Sequence, residues 1–206
     1  MPAKAAVFEK TYHTYLSRIA DLDLTARAAT LGAETEGPDL FIRLYGSPYR
    51  LSRQGVYKPS GEAVNYAVCV VLCCYVLQCP STIPLAGDWV TYREFKDAGP
   101  LVSYFTANTN QIIETAFSGN LAGLEDACRS LGGRRFDTGA AHDLSMAFDF
   151  LPRIPVLLRF NERDDEFPAQ CSVLFRQSTE AYLDMECTAI GGTLLAGHLT
   201  RHLTVP

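Results

Sequence analysis

The chain has no cluster of lysines and arginines: its 18 basic residues are scattered against 23 acidic ones, leaving a formal charge of −5 and a pI near 5.4. Binding to nucleic acid needs basic groups gathered along a phosphate track, so it is not expected. Nor is there an apolar run of about 20 residues, the length that a membrane helix requires. The unbroken run from Ala67 to Leu77 is bounded by Asn65 and Tyr66 on one side and by Gln78 and Pro80 on the other, so a membrane span is not expected either. The segment Met1 to Arg18 carries charge throughout and has no apolar core followed by small residues; a cytoplasmic location is the expectation. A disulfide framework is also missing. Seven cysteines in 206 residues of 48% apolar composition point to reduced thiols in a well-filled core.

Motifs that would announce an enzyme are absent as well. No GxSxG elbow exposes a serine nucleophile, no GxxxxGK[ST] frame cradles a phosphate, no HExxH pair holds a catalytic zinc, and the calcium-loop spacing of an EF-hand does not occur. Gly132-Gly133-Arg134-Arg135 offers amides and guanidiniums to an anion, but no strand precedes it, and a helix stop followed by surface arginines accounts for it. With no internal repeat, low-complexity tract or linker, residues 1–206 read as a single α+β domain.

What the chain does have is a strongly patterned stretch from Met146 to Phe175. Met146, Phe148 and Phe150 alternate with Ser145, Ala147 and Asp149; Ile154, Val156, Leu158 and Phe160 form a second alternating run, and Cys171, Val173 and Phe175 a third. Three neighbouring strands are expected. Pro152 and Pro155 mark the first corner, because proline cannot donate to a ladder, and the acidic segment Glu162 to Pro168 forms the second connection. Leu40 to Arg53, broken at Gly46-Ser47-Pro48, reads as a hairpin, and Trp89 to Phe95 as a short strand. All of these are expected to share one antiparallel sheet of short strands covered by helices. The helices expected are 3–20, 24–31 between Asp23 and Gly32, Glu62 to Leu77 behind Ser60, Asn108 or Thr109 to Phe117, Leu121 to Leu131, and Asp184 to Leu203 with a weak point at Gly191-Gly192. Arg134 to Ala141 is expected to be a flexible link.

The order Gly87-Asp88-Trp89-Val90-Thr91-Tyr92-Arg93, Leu131-Gly132-Gly133, Phe150-Leu151-Pro152-Arg153-Ile154-Pro155-Val156 and Asp164-Asp165-Glu166-Phe167-Pro168-Ala169, followed by Leu174-Phe175, resembles the domain of unknown function 3786 over most of the chain. Departures lie at Asn161, where an aromatic is common, and at Arg176-Gln177, where an acidic residue is expected. The resemblance implies an association with anaerobic metabolism, since some similar domains are joined to an iron-sulfur cluster domain. It implies no catalytic residue.

Glu162, Asp164, Asp165 and Glu166 are the first candidate binding surface, with Trp89 as its aromatic member. Several oxygens within one turn of chain suit a hard cation. Two blander readings compete with that one: solvated charge on a hairpin tip with Phe167 folded onto the core, which is preferred, and a carboxylate capping backbone amides of the turn. Cys69, Cys73, Cys74 and Cys79 invite comparison with iron-sulfur ligands, but Cys69 and Cys73 fall one turn apart on an apolar helix, which favours packing. Cys128, Cys171 and Cys187 show no partner. His142-Asp143 matches the doublet of metal-dependent phosphohydrolases without its companion ligands and is read as a turn; His198 and His202 have ligand spacing at a polar helix end. No metal or cofactor is expected. The expected function is a non-catalytic accessory or interaction domain whose partner would be an iron-sulfur or corrinoid protein of one-carbon metabolism. The alternative is a metal-dependent hydrolase using the acidic loop 162–166 with His142 or Asp143.

Overall fold

The computed structural model describes residues 2–137, 139, 142–201 and 203. Helix α1 (Pro2–Ile19) comes first, and a 3-10 turn at Thr25–Arg27 leads into the short α2 (Ala28–Leu31). The helix expected over 24–31 is thus divided, yet both of its ends behave as their residues dictate. The Asp23 carboxylate accepts from Thr25 Oγ1 at 2.8 Å and Ala26 N at 3.2 Å, and Gly32 stops the helix at φ 66°.

Strands β1 (Glu34–Glu36), β2 (Asp39–Leu44), β3 (Ser47–Ser52) and β4 (Gly55–Tyr57) form an antiparallel meander in that order. The expected hairpin is its centre, with Leu40 opposite Leu51 and Ile42 opposite Tyr49. A second antiparallel sheet is built from β5 (Trp89–Thr91), β6 (Arg134–Arg135), β7 (Leu144–Leu151), β8 (Ile154–Asn161) and β9 (Gln170–Arg176), in the order β5-β9-β8-β7-β6. The expectation of one shared sheet is therefore corrected. β1 and β4 occupy both edges of the central hairpin, so β2 and β3 have no free edge to offer the other strands. One junction is made at Tyr45, in the turn after β2, which donates its amide to the Phe150 carbonyl at 3.0 Å and stacks on the Phe150 ring at 4.9 Å.

Two strand boundaries also differ from expectation. β5 stops at Thr91, because the Glu94 carboxylate accepts from Thr91 N at 2.6 Å and Oγ1 at 2.7 Å and winds Tyr92–Glu94 into a 3-10 turn. The link expected over 134–141 begins with β6, where Arg134 pairs with Asp149 and Arg135 with Glu125. Positions 138, 140 and 141 of that link lie outside the described residues.

Helix α3 (Tyr66–Leu77) starts later than Ser60 would have it. Asn65 Oδ1 caps it, accepting from Ala67 N at 2.8 Å, while Glu62 stays outside and pairs with Lys58. Every residue from Val68 to Val76 is buried, because α1 covers one side of this helix and α7 (Met185–Arg201) another. Helices α4 (Val102–Phe105) and α5 (Gln111–Phe117) are joined by a π-helical segment, Thr106–Asn110. Asn108 and Thr109 thus lie inside a continuous rod and cap nothing. Thr109 is fully buried with its hydroxyl close against Gly192 of α7, so tertiary packing overrides its preference for a helix start. Helix α6 (Leu121–Ser130) follows, capped by Asn120. A cluster of buried apolar side chains runs from Tyr12 to Leu199 and draws on both sheets, which makes the fold α+β as the patterning implies. Among the described residues, no helix is long and apolar enough to cross a membrane.

Candidate functional site: hairpin tip and thiol cluster

β8 and β9 pair from Val156 with Phe175 to Asn161 with Gln170, so the chain between them projects from the end of the hairpin. Its carboxylates are engaged by the backbone. Asp164 Oδ1 accepts from Phe167 N at 2.7 Å and Glu166 N at 2.8 Å, while Asp164 N donates to the Phe167 carbonyl at 3.0 Å. Glu162 Oε1 accepts from Gly119 N at 2.7 Å and Arg163 N at 2.8 Å, and Asp143 Oδ2 accepts from Glu162 N at 2.7 Å. The amides of Phe167 and then Glu166 hold the Asp164 carboxyl below its usual range. Burial pushes the Glu162 carboxyl up, but the amides of Gly119 and Arg163, with the Arg163 charge, outweigh it and leave the group lowered. The amide-capping reading of the loop is the one this geometry displays, with Asp165 and Glu166 left exposed.

Phe167 does not fold onto the core. It is 59% exposed, and Ala169 is the residue that turns inward. The closed turn from Asp164 to Phe167 is responsible, since it draws Phe167 back over the loop before the pairing of β9 begins at Gln170.

Trp89 is not part of this tip. It pairs with Arg176 at the far end of β9, six residues from Gln170 and so about 20 Å away at a strand's rise per residue. The Arg176 guanidinium lies 4.2 Å over the indole, and Phe136 meets it edge-on at 5.8 Å, so the ring is half-buried in a stack of its own. The positions at which the sequence departs from the resemblance make contacts here: Arg176 in this stack, Gln177 accepting from Asp88 N at 3.1 Å, and Asn161 3.1 Å from His142 Nδ1. His142 and Asp143 thus brace the end of β8 as a structural pair. His198 is pushed down to about 4 by burial and the nearby Arg201, and is neutral at physiological pH; His202 lies outside the described residues.

Four of the seven thiols, all on α3 or α7, fall into two sets. Cys69 and Cys73 are buried among apolar neighbours, and burial pushes Cys69 up to about 12. Cys74 and Cys187 belong together with Asp184: Cys74 Sγ donates to Asp184 Oδ2 at 3.5 Å, and Asp184 Oδ1 accepts from Cys187 N at 2.7 Å. Among the described residues, these three form the one group of His, Cys, Asp and Glu side chains whose ligand atoms lie mutually within 4.8 Å. The loop carboxylates form no such group.

A family model described as Domain of unknown function (DUF3786) matches residues 23–198. The chain belongs to this family. No curated protein and no solved structure matches it. Both the hairpin tip and the thiol cluster of this DUF3786 domain fall within the matched span. Of the two, the sequence displayed only the tip. The spacing Asp184-x-x-Cys187 is visible at a helix start, but the third member, Cys74, is 110 residues away from Asp184, so no local spacing could reveal the group.

Proposed function

We propose that this DUF3786 domain is a non-catalytic accessory domain that docks on a protein partner through the tip of its β8–β9 hairpin. The observation that carries this reading is Phe167, a large apolar ring 59% exposed on a loop whose backbone is fixed by the Asp164 cap. Fixing an aromatic anchor before binding lowers the ordering cost of association, and aromatic residues dominate interface energetics. Asp165 and Glu166, both exposed, precede the ring in the chain and favour a partner with a basic rim around an apolar pocket. The resemblance supports an iron-sulfur or corrinoid protein of anaerobic one-carbon metabolism as that partner. The alternative, a metal-dependent hydrolase built on the same loop, has less support: one oxygen of Glu162 and one of Asp164 are committed to backbone amides, and the loop carboxylates do not gather into a ligand group among the described residues.

Affinity capture from the native cell under anaerobic conditions tests the reading, using wild type, Phe167→Ala and the pair Asp165→Asn with Glu166→Gln. The expected result is one partner carrying an iron-sulfur or corrinoid chromophore. Its recovery should fall at least about tenfold with Phe167→Ala, the loss expected of a hot-spot residue, while Tm stays unchanged. A partner retained equally by both variants overturns the assignment of the tip.

A further inference from the structure

A helix start leaves its first amides without intrahelical acceptors, and at α7 Asp184 serves one of them. Its carboxylate accepts from Cys187 N at 2.7 Å, and its carbonyl accepts from Thr188 N at 3.0 Å and Thr188 Oγ1 at 2.9 Å. Nothing in this cap calls for sulfur. Yet Cys187 stands in the first turn, and Cys74, from the last turns of α3, presents its thiol to the second carboxylate oxygen. Two thiols and a carboxylate from two helices thus converge within 4.8 Å. The geometry points to a binding site for one divalent thiophilic cation of the zinc class, held by Cys74 Sγ, Cys187 Sγ and the Asp184 carboxylate. It lies on a different part of the molecule from the hairpin tip and does not depend on it.

The donor set decides the class of ion. Magnesium and calcium take oxygen ligands, whereas two sulfurs select zinc and its neighbours. With Zn–S near 2.3 Å and Zn–O near 2.0–2.2 Å, tetrahedral ligand atoms stand about 4 Å apart or less, so side-chain adjustment closes the site. Binding releases one proton from each thiol to solvent. Three negative donors then face two positive charges, and the amino-terminal end of the 17-residue α7 offsets the remainder. The surroundings are fixed beforehand: Tyr92 donates its hydroxyl to the Met185 carbonyl at 2.7 Å, and Thr188 pins the carbonyl of Asp184. Both thiols are 1% exposed, whereas Asp184 is half-buried, so the site meets solvent at the carboxylate. Three protein donors leave the fourth tetrahedral position to water or to a ligand brought by another molecule.

Anaerobic titration of the reduced protein with Co2+, followed by competition with Zn2+, tests the site. One equivalent of cobalt should give thiolate charge-transfer absorption in the near ultraviolet, and zinc should abolish it. Cys187→Ser and Asp184→Asn should each weaken zinc binding by more than the ~10- to 100-fold that loss of an outer-shell partner costs. Asparagine still caps a helix, so Asp184→Asn should keep the metal-free Tm of wild type while losing the rise in Tm that zinc gives wild type; this variant decides the matter if Cys187→Ser does not fold. The pair Cys69→Ser with Cys79→Ser should bind as wild type does. Absence of the charge-transfer band, unchanged affinity in Asp184→Asn, or loss of binding in a folded Cys69/Cys79 variant overturns the inference.

Discussion

At the scale of single residues, the hairpin tip separates what a side chain is from what its neighbours make of it. An aromatic before proline invites burial, which predicts that Phe167 reaches the core; the Asp164 turn sends it outward, and Ala169 is the residue that turns inward. Phe167→Ala is therefore expected to change stability by about 0.5 kcal/mol or less, as at other exposed sites, in chemical denaturation. Asp164→Ala should do more, because it frees the amides of Glu166 and Phe167. The Asp164 carboxyl is lowered in the folded protein, so its contribution is present above the unfolded value of about 3.9 and is lost as pH falls through the lower folded value. Melting curves of wild type and Asp164→Ala should differ at neutral pH and draw together in that acid window. A gap that persists or widens in acid would mean that the cap does not depend on the charge.

At the scale of elements, the sequence made the type of each long segment legible and left several of its reasons hidden. α3 was recognisable from its apolar run, and its burial on all sides explains why that run shows no polar face. α7 is recognisable too, but the poor helix propensity of glycine makes Gly191-Gly192 read as a weak point. The structure gives these positions a purpose. A Cβ on Gly191 would meet the Phe150 ring of β7, and one on Gly192 would meet the Phe105 ring of α4 and the Thr109 hydroxyl. Gly191→Ala and Gly192→Ala gain about 1 kcal/mol of helix propensity and must displace aromatic side chains, which costs about 1–3 kcal/mol. Both variants should unfold at lower denaturant concentration than wild type. Increased stability in either would show that the ring beside it yields freely. No pattern along α7 could disclose this, since the rings come from residues 41 and 87 positions away from the glycines they meet.

At the scale of the whole molecule, the two sheets share no ladder among the described residues and yet pack into one core. Alternation told which residues form strands and could not tell which edges they meet, because β1 and β4, each of three residues, were too short to be read, and they close the meander. Besides the Tyr45 amide on the Phe150 carbonyl, a connection runs through side chains. Tyr75 of α3 donates its hydroxyl to the Leu31 carbonyl at 2.7 Å, just before the meander, and accepts from Arg153 N at 3.2 Å in the corner between β7 and β8. Arg153 returns to the same α2 segment, donating to Thr30 O at 3.2 Å and Ala29 O at 2.9 Å. A fully buried hydroxyl thus ties the start of one sheet to the corner of the other. Tyr75→Phe should leave the Leu31 carbonyl and the Arg153 amide without this partner and cost about 1–3 kcal/mol. Because the sole tryptophan, Trp89, reports on the edge of the second sheet while far-ultraviolet circular dichroism reports on the helices, the two probes can be compared in one denaturation experiment. Both should show a single transition at the same midpoint in wild type and move together in Tyr75→Phe. Transitions that separate in either protein would mean that the second sheet and the helices unfold as distinct units.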